Sequence, residues 1–262
     1  MKGAITLTFL GTGTSQGIPV IGSDHPVCMS PDIKDKRLRS SVLIEGIETN
    51  VIIDCGPDFR QQLLNNPVKR LDAVLITHEH ADHTMGLDDI RPFFFRQGDM
   101  QFYATEKVFR ALSQRFDYIF DENYQYPGVP EITKNYIAKN IPFKVKEFQF
   151  LPIEVDHAGM QVLGFRIGRL AYVTDIKHIS EDQIALLDNL DILIINALRH
   201  ESHHSHLSLC EAIDLGKRIG ANKTYFTHIS HTMGFHNEVS ADLPEGFFLA
   251  YDNLKLEFDS NE

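Results

Sequence analysis

The chain has 262 residues, 43% hydrophobic and 23% charged, with 17 glycines and 11 prolines; this is ordinary globular usage and excludes collagenous, coiled-coil and disordered classes. Its length lies near the upper limit for one hydrophobic core, so a single domain over 1–262 is expected. Twenty-five Lys and Arg against 36 Asp and Glu give a formal charge of -11, which argues against bulk nucleic acid and anionic membrane as partners and for a small substrate.

The first ten residues alternate like a strand and run into glycines, without the apolar stretch and small-residue cleavage site of a signal peptide. No apolar run approaches the roughly 18 residues of a transmembrane helix, so a cytoplasmic protein is expected. Strand-length runs rich in β-branched and aromatic residues occupy 5–10, 41–44, 51–53, 73–76, 152–155, 164–167, 171–173, 192–195 and 224–226. Gly11 to Gly17 follow the first run, but residues 18–22 cannot begin a helix, so a tight loop is expected there and not a dinucleotide fingerprint. Cys28, Cys55 and Cys210 have no paired spacing and read as reduced thiols.

Residues 91–140 stand apart. Phe93, Phe94, Phe95, Tyr118, Phe120, Tyr124 and Tyr126 cluster beside Pro127-Gly-Val-Pro130, which reads as an insertion or lid, with a second core layer as the competing reading. Between 100 and 150, seven Lys or Arg face six Asp or Glu, so this is no basic arm for RNA. A helix is expected from Thr105 to Phe116. Ser180-Glu-Asp-Gln183 and Ser208-Leu-Cys-Glu211 read as capping boxes, the first opening a helix to about residue 190, the second one that stops at Gly220. Many strands with interspersed helices and no regular alternation point to a layered α/β sandwich.

The strongest chemical signal is Thr77-His-Glu-His-Ala-Asp-His83, immediately after the run 73–76. At a strand end His78 and His80 point to one side because side chains alternate, while Asp82 and His83 fall in the following turn. Three further runs end in the same way, in Asp156-His157, Thr174-Asp175 and Thr227-His228. Seven ligands then divide between two ions: His78, His80 and His157 on one, Asp82, His83 and His228 on the other, with Asp175 bridging. Imidazoles and carboxylates without thiolate suit Zn²⁺ or Mn²⁺, with Fe²⁺ a third option. Two such ions about 3.5–4 Å apart lower the pKa of a shared water, which implies hydrolysis. Asp54, at the end of 51–53, reads either as the acceptor that fixes a ligand imidazole or as an Asx turn before Gly56.

These residues, in this order and at these strand ends, resemble the metallo-β-lactamase superfamily, whose members fold as a four-layer αββα sandwich around a dinuclear metal site. Gly11–Gly17, Arg37-Leu-Arg-Ser-Ser41 and Gly86-Leu-Asp-Asp-Ile-Arg-Pro92 are similar to the branch containing phosphoribosyl cyclic phosphate phosphodiesterase. The resemblance implies a histidine that protonates the leaving oxygen, here His206 just before the Ser208 cap, where a helix N-terminus favours anions, with His203 contacting phosphate and Asp82 orienting the attacking water. It further implies a structural zinc held near the N-terminus, for which His25, Cys28 and His231 stand where the family has more cysteines, and a homodimer. Arg37, Arg39 and Arg199 are candidate phosphate grips.

The expected activity is metal-dependent hydrolysis of a small phosphate diester, cyclic esters of a sugar or nucleotide included. A thioester, lactone or lactam hydrolase on the same site is the alternative, and a transfer-RNA nuclease fits the acidic balance less well.

Overall fold

The computed structural model describes residues 5–121 and 127–258. Tyr124 and Tyr126 of the aromatic segment lie outside the described residues.

The strands are β1 (Ile5–Gly11), β2 (Ser41–Glu45), β3 (Asn50–Ile53), β4 (Ala73–Leu75), β5 (Met100–Ala104), β6 (Ile132–Tyr136), β7 (Phe143–Val145), β8 (Phe148–His157), β9 (Met160–Ile167), β10 (Leu170–Val173), β11 (Ile192–Asn196), β12 (Lys223–Thr227), β13 (Phe247–Leu249) and β14 (Lys255–Phe258). They form two seven-stranded sheets, in the orders β14-β1-β2-β3-β4-β5-β6 and β13-β12-β11-β10-β9-β8-β7. Each sheet joins antiparallel strands at one side to a parallel run at the other, β3 to β6 in the first and β10 to β13 in the second. The helices are α1 (Pro26–Met29), α2 (Phe59–Asn65), α3 (Ala81–Thr84), α4 (Arg91–Gln97), α5 (Glu106–Arg115), α6 (Asp117–Phe120), α7 (Glu181–Ile184), α8 (Leu209–Ile219) and α9 (His236–Asp242). None of them is long and apolar enough to cross a membrane.

The period of two in the strands builds the layers. In β11, Ile192 and Ile194 enter a central cluster shared with Phe9, Val51 and Leu75 of the first sheet, while Leu193 and Ile195 face the opposite way, into a cluster with Leu209 and Ala212 of α8. In β4, Ala73 and Leu75 face the centre and Val74 faces Phe109 and Leu112 of α5. Strands buried on both faces read as continuous apolar runs, which is why 73–76 and 192–195 stand out in the sequence. The result is the four-layer αββα sandwich that the resemblance implies.

The expected insertion is corrected in part. Residues 91–140 supply β5 and β6 of the first sheet and the helix α5, and Phe93, Phe102, Phe109 and Phe116 are buried in the outer cluster of that sheet. Aromatic density marks a core layer here because these rings cover β3 and β4, not a ligand. The Ser208 capping box is present and α8 stops at Gly220, which takes the left-handed conformation. The Ser180 box is not: its serine makes no capping bond and α7 ends at Ile184. Gln183, the expected reciprocal partner, instead accepts from the Glu154 backbone N–H at 2.8 Å and donates to Asn140 at 2.9 Å, tying α7 to β8.

Arg37 sits in a polar node that joins the N-terminal loop to the C-terminal region. Its guanidinium is 3% exposed and donates to Thr12 at 2.7 Å and to the Ala250 carbonyl at 2.5 Å, while its other terminal nitrogen lies 3.1 Å from His236 Nδ1. Arg37 is therefore a buried fastener and not the expected phosphate grip. Burial first, then the Arg37 and Lys34 charges, push His236 down to about 4. An unfolded histidine titrates near 6.5, so between those values the unfolded chain binds the proton and stability falls as pH falls. Asp252, raised to about 6 by burial, acts in the opposite sense over about 6 to 3.9. His236→Gln keeps an acceptor for Arg37 and removes the first contribution alone. Its urea midpoint is expected to fall less than the parent's between pH 7 and pH 4; parallel acid limbs would contradict the assignment.

Candidate metal centre

Five strand ends meet at one rim. Asp54 directly follows β3, His78 follows β4 by three residues, His157 closes β8, Asp175 lies two residues past β10, and His228 directly follows β12. Asp82 and His83 stand on α3, and His206 lies two residues before the Ser208 cap of α8. Parallel neighbours bring their carboxyl ends to the same edge, where open α/β sheets bind ligands.

Of the two expected sets, Asp82, His83 and His228 form one close group, whereas His78 and His157 fall in separate groups and His80 in none. Among the described residues, three groups bring their ligand atoms within 4.8 Å of one another: His78 with His83 and Asp175; Asp82 with His83 and His228; His157 with Asp175 and His206. His83 Nε2 is 3.3 Å from Asp82 and 3.4 Å from Asp175, and His228 Nε2 is 3.6 Å and 3.3 Å from the same two carboxylates. Asp175 thus faces all three groups' histidines, the place expected of a bridge. The His80 ring is 4.6 Å from that of His78 and 5.4 Å from that of His157. His206 adds a contact the spacing does not show, with Nδ1 3.6 Å from Asp175 and its ring 4.6 Å from both His157 and His228.

Electrostatics singles out this cluster. Burial would push Asp82 and Asp175 up, but the surrounding imidazoles, His83 and His228 foremost, hold both well below the usual carboxylate range. Burial lowers His78 far below an ordinary histidine, leaving it neutral, and burial then His228 push His206 down to about 2. His83 goes the other way: burial opposes its charge, yet Asp82, Asp175 and Asp54 outweigh that and raise it well above the ordinary value. A proton on His83 stands where carboxylates call for a cation. His78 Nε2, His83 Nε2, His206 Nδ1 and both nitrogens of His228 are buried without a hydrogen-bond partner, and buried polar atoms are otherwise almost always paired. Neutral imidazole nitrogens and ionised carboxylates are the donor set of a divalent transition ion, so the residues present fit such ions. Asp54, Asp175 and His228 also hold φ of 66°, 61° and 55°, the left-handed region that costs a non-glycine residue roughly 1–2 kcal/mol. Such outliers cluster at functional sites.

The supporting contacts are specific. Asp54 is fully buried and accepts from His83 Nδ1 at 2.6 Å, which supports the acceptor reading of the sequence. His157 Nδ1 donates to the Ser205 carbonyl at 2.8 Å, and Thr174 donates to Asp175 at 2.7 Å. Neither Ser205 nor Thr174 was legible as a partner, since both are drawn in by chain segments distant in sequence or by a side-chain rotamer. Gly56 was also missed: a Cβ there would lie 2.0 Å from the Asp82 carbonyl, because the loop after β3 packs directly on the turn that carries Asp82 and His83.

Other expected residues fall differently. Arg39 is bound to Asp58 at 2.9 and 3.0 Å and to the Ser15 carbonyl, so its guanidinium is engaged within the fold and not held free for phosphate. Arg199 donates to the Ser202 carbonyl at 3.3 Å, and its charge and that of Lys177 reach His203. The His203 ring lies 5.4 Å from that of His206 and its Nδ1 accepts from the Ser205 N–H at 3.3 Å. His200 donates to the Met233 carbonyl at 2.8 Å. The candidate third set is His25, Cys28 and His231. His25 and His231 meet edge to face with ring centroids 4.9 Å apart, and no close group of three ligands among the described residues includes them with Cys28. His25 Nδ1 caps α1 by accepting from the Val27 N–H, and Cys28 Sγ accepts from the Val20 N–H.

Comparison with known proteins places this geometry. Residues 49–229 match the model of the beta-lactamase superfamily domain. The crystal structure of a diphosphatase from the PhnP family is 40% identical, superposes with a TM-score of 0.92, and is aligned over 99% of both chains. An octanoyltransferase of Porphyromonas gingivalis is 38% identical over 252 residues, which are 95% of this chain and 51% of that protein, so the chain spans about half the length of this curated relative. Zn²⁺-bound PqqB from Methylobacterium extorquens shares the fold at 20% identity and a TM-score of 0.80, over 97% of this chain and 100% of that one.

The packing of Gly56 on the Asp82 turn is open to direct test. Gly56→Ala forces a backbone shift at Asp82, and overpacking of this kind costs about 1–3 kcal/mol. The variant is expected to melt lower in chelator and, beyond that, to bind Zn²⁺ or Mn²⁺ more weakly in a titration. Parental metal affinity in the variant would show that Asp82 is not held through this contact.

Proposed function

This chain belongs to the beta-lactamase superfamily, and from that premise we propose that it is a metal-dependent phosphodiesterase that cleaves small phosphate esters, diphosphate and cyclic sugar or nucleotide esters included. His78, His80 and His157 on one side, and Asp82, His83 and His228 on the other, would hold two divalent ions with Asp175 between them. When bound, such ions polarise phosphoryl oxygens and make water nucleophilic near neutral pH. Zinc is the first expectation, since the fold relative PqqB is described as Zn²⁺-bound, and manganese the second.

The chain's own residues supply orientation and the proton. Asp82, ionised and 3.3 Å from His83 Nε2, accepts a hydrogen bond from the attacking water and sets its direction. His206 is neutral in the free site and backed by Asp175. An anionic ester beside it favours its charged form, so it takes up a proton with the substrate and gives it to the departing oxygen. The amide end of α8 next to it favours the same anion. His203, whose ring lies 5.4 Å from that of His206, would offer a neutral imidazole and Arg199 a positive charge to the rest of the substrate.

What carries the phosphoryl reading over a thioester, lactone or lactam is His206 seated on the metal cluster at the head of α8, in a chain 40% identical to a protein described as a diphosphatase. The formal charge of -11 supports a small ester over a transfer RNA.

Loaded with Zn²⁺ or Mn²⁺, the protein is expected to hydrolyse bis(p-nitrophenyl) phosphate and members of a panel of diphosphate and cyclic phosphate esters. Activity confined to thioesters, lactones or lactams would overturn the reading. General acid catalysis is worth roughly 10²–10⁴-fold, so His206→Ala should lower kcat by about that factor while metal content, read by elemental analysis, stays the same. An unchanged kcat removes His206 from the proton transfer, and a lost ion makes it a ligand instead.

A further inference from the structure

We propose that Thr77 is a positioning residue through which one buried carboxylate, Asp54, orients two metal-ligand imidazoles at once. The inference rests on the metal-centre reading above and adds to it the means by which the two halves of the site are tied together.

Asp54 has two clients. His83 Nδ1 lies 2.6 Å from Asp54 Oδ2 and is held directly. The other client is reached through Thr77, whose backbone N–H donates to Asp54 Oδ1 at 2.8 Å and whose hydroxyl lies 3.1 and 2.9 Å from the two carboxylate oxygens. The same hydroxyl oxygen is 2.9 Å from His78 Nδ1.

The direction of this chain follows from what each group can do. The Thr77 O–H donates to the Asp54 carboxylate. The hydroxyl's lone pairs are then left for His78, whose Nδ1 must carry the hydrogen and donate it. That choice of tautomer leaves His78 Nε2 with its lone pair, and Nε2 is the atom buried without a partner. On His83 the bond to Asp54 likewise occupies Nδ1 and leaves Nε2 facing Asp82 and Asp175. The anchor is itself rigid. Asp54 is fully buried, its N–H donates to the Leu75 carbonyl at 2.8 Å, its carbonyl accepts from Ser41 at 2.8 Å, and its φ is 66°.

The two clients lie close together, with rings 4.3 Å apart and ligand atoms in one group with Asp175. In the two-ion division proposed above they fall on opposite sides, His83 with Asp82 and His228, and His78 with His80 and His157. Removing the Thr77 hydroxyl therefore frees the His78 ring and spares the bond to His83, while altering Asp54 disturbs both. Partners that orient ligand imidazoles typically matter by 10–100-fold in metal affinity.

The test is titration of metal-free protein with Co²⁺ and Zn²⁺, following the visible Co²⁺ bands and the calorimetric stoichiometry. The parent is expected to take up two equivalents. Thr77→Val should weaken one of them about 10–100-fold and leave the other close to the parent; Thr77→Ala does the same if the valine methyl does not fit. Thr77→Ser, which keeps the hydroxyl, should restore both, and Asp54→Asn should weaken both. Parental binding of both equivalents by Thr77→Val and Thr77→Ala overturns the proposal with the metal centre intact, and so does a serine variant as weak as the valine one. A parent protein that takes up no divalent ion overturns the metal-centre reading itself, and this inference with it.

Discussion

The rest of the structure depends on an unresolved attraction: two ionised carboxylates, Asp82 and Asp175, enclosed by imidazole nitrogens that no other protein group satisfies. In a buried setting an unpaired polar atom costs free energy, and a bare charge costs more. His83 answers part of that demand by holding a proton far more tightly than an ordinary histidine. A divalent cation answers it fully, because it offers several coordination positions at once where a proton offers one. Metal binding at such a site displaces protons and couples to folding, so the cluster and the fold stabilise each other once the ion is present.

The sandwich is what makes that crowding sustainable. The central cluster, from Phe9 and Leu75 in one sheet to Tyr172 and Ile194 in the other, fixes the distance between the two sheets. The rim sits at the ends of strands whose bodies are packed on both faces, so each ligand inherits the rigidity of its strand. Asp54, Asp175 and His228 pass into left-handed backbone immediately beyond β3, β10 and β12. A loop with freedom to relax would leave that region; here Asp54 and the 54–56 turn are pinned, with the Cys55 N–H on the His83 carbonyl and the Gly86 N–H on the Cys55 carbonyl. Strain at the rim is thus sustained by packing in the layers beneath it.

How much of this could be read from the sequence follows from the range of each interaction. Eight of the nine expected strands lie within observed ones and the ninth, 73–76, overruns β4 by one residue, because burial on both faces writes itself into a short apolar run. The candidate ligands His157, Asp175 and His228 stood out for the same reason: each lies two residues past such a run. The Ser208 box was legible since both of its bonds are local, while the Ser180 box failed because Gln183 was claimed by Glu154 and Asn140, contacts made only after folding. β5 and β6 were hidden inside an aromatic stretch whose composition does not distinguish a sheet covered by α5 from a lid. The partners of Arg37 and Arg39 were not legible because a sequence shows a charge but not what it meets, here Thr12, Ala250 and His236 for one and Asp58 for the other. Thr77 stood in plain view beside His78, yet its meaning depends on Asp54, which arrives from the neighbouring strand.

The contrast between the two histidine-bearing sites makes the same point in chemical terms. His25, Cys28 and His231 are as good a ligand inventory as His83, Asp82 and His228, and two of the rings do touch. What differs is the fate of the remaining atoms. At the rim, Asp54 occupies His83 Nδ1 and leaves Nε2 turned toward carboxylates, so the second contact sharpens the first. Near the N-terminus, His25 turns Nδ1 to the backbone of α1, Cys28 takes the Val20 N–H, and no carboxylate gathers with them among the close groups of the described residues. Backbone capping satisfies His25 without any ion, although His231 Nδ1 is left buried without a partner; a histidine locked between acids on a strained strand end has no such outlet. Ligand identity is therefore necessary for a metal site, and the groups that hold each ligand's other nitrogen decide whether it becomes one.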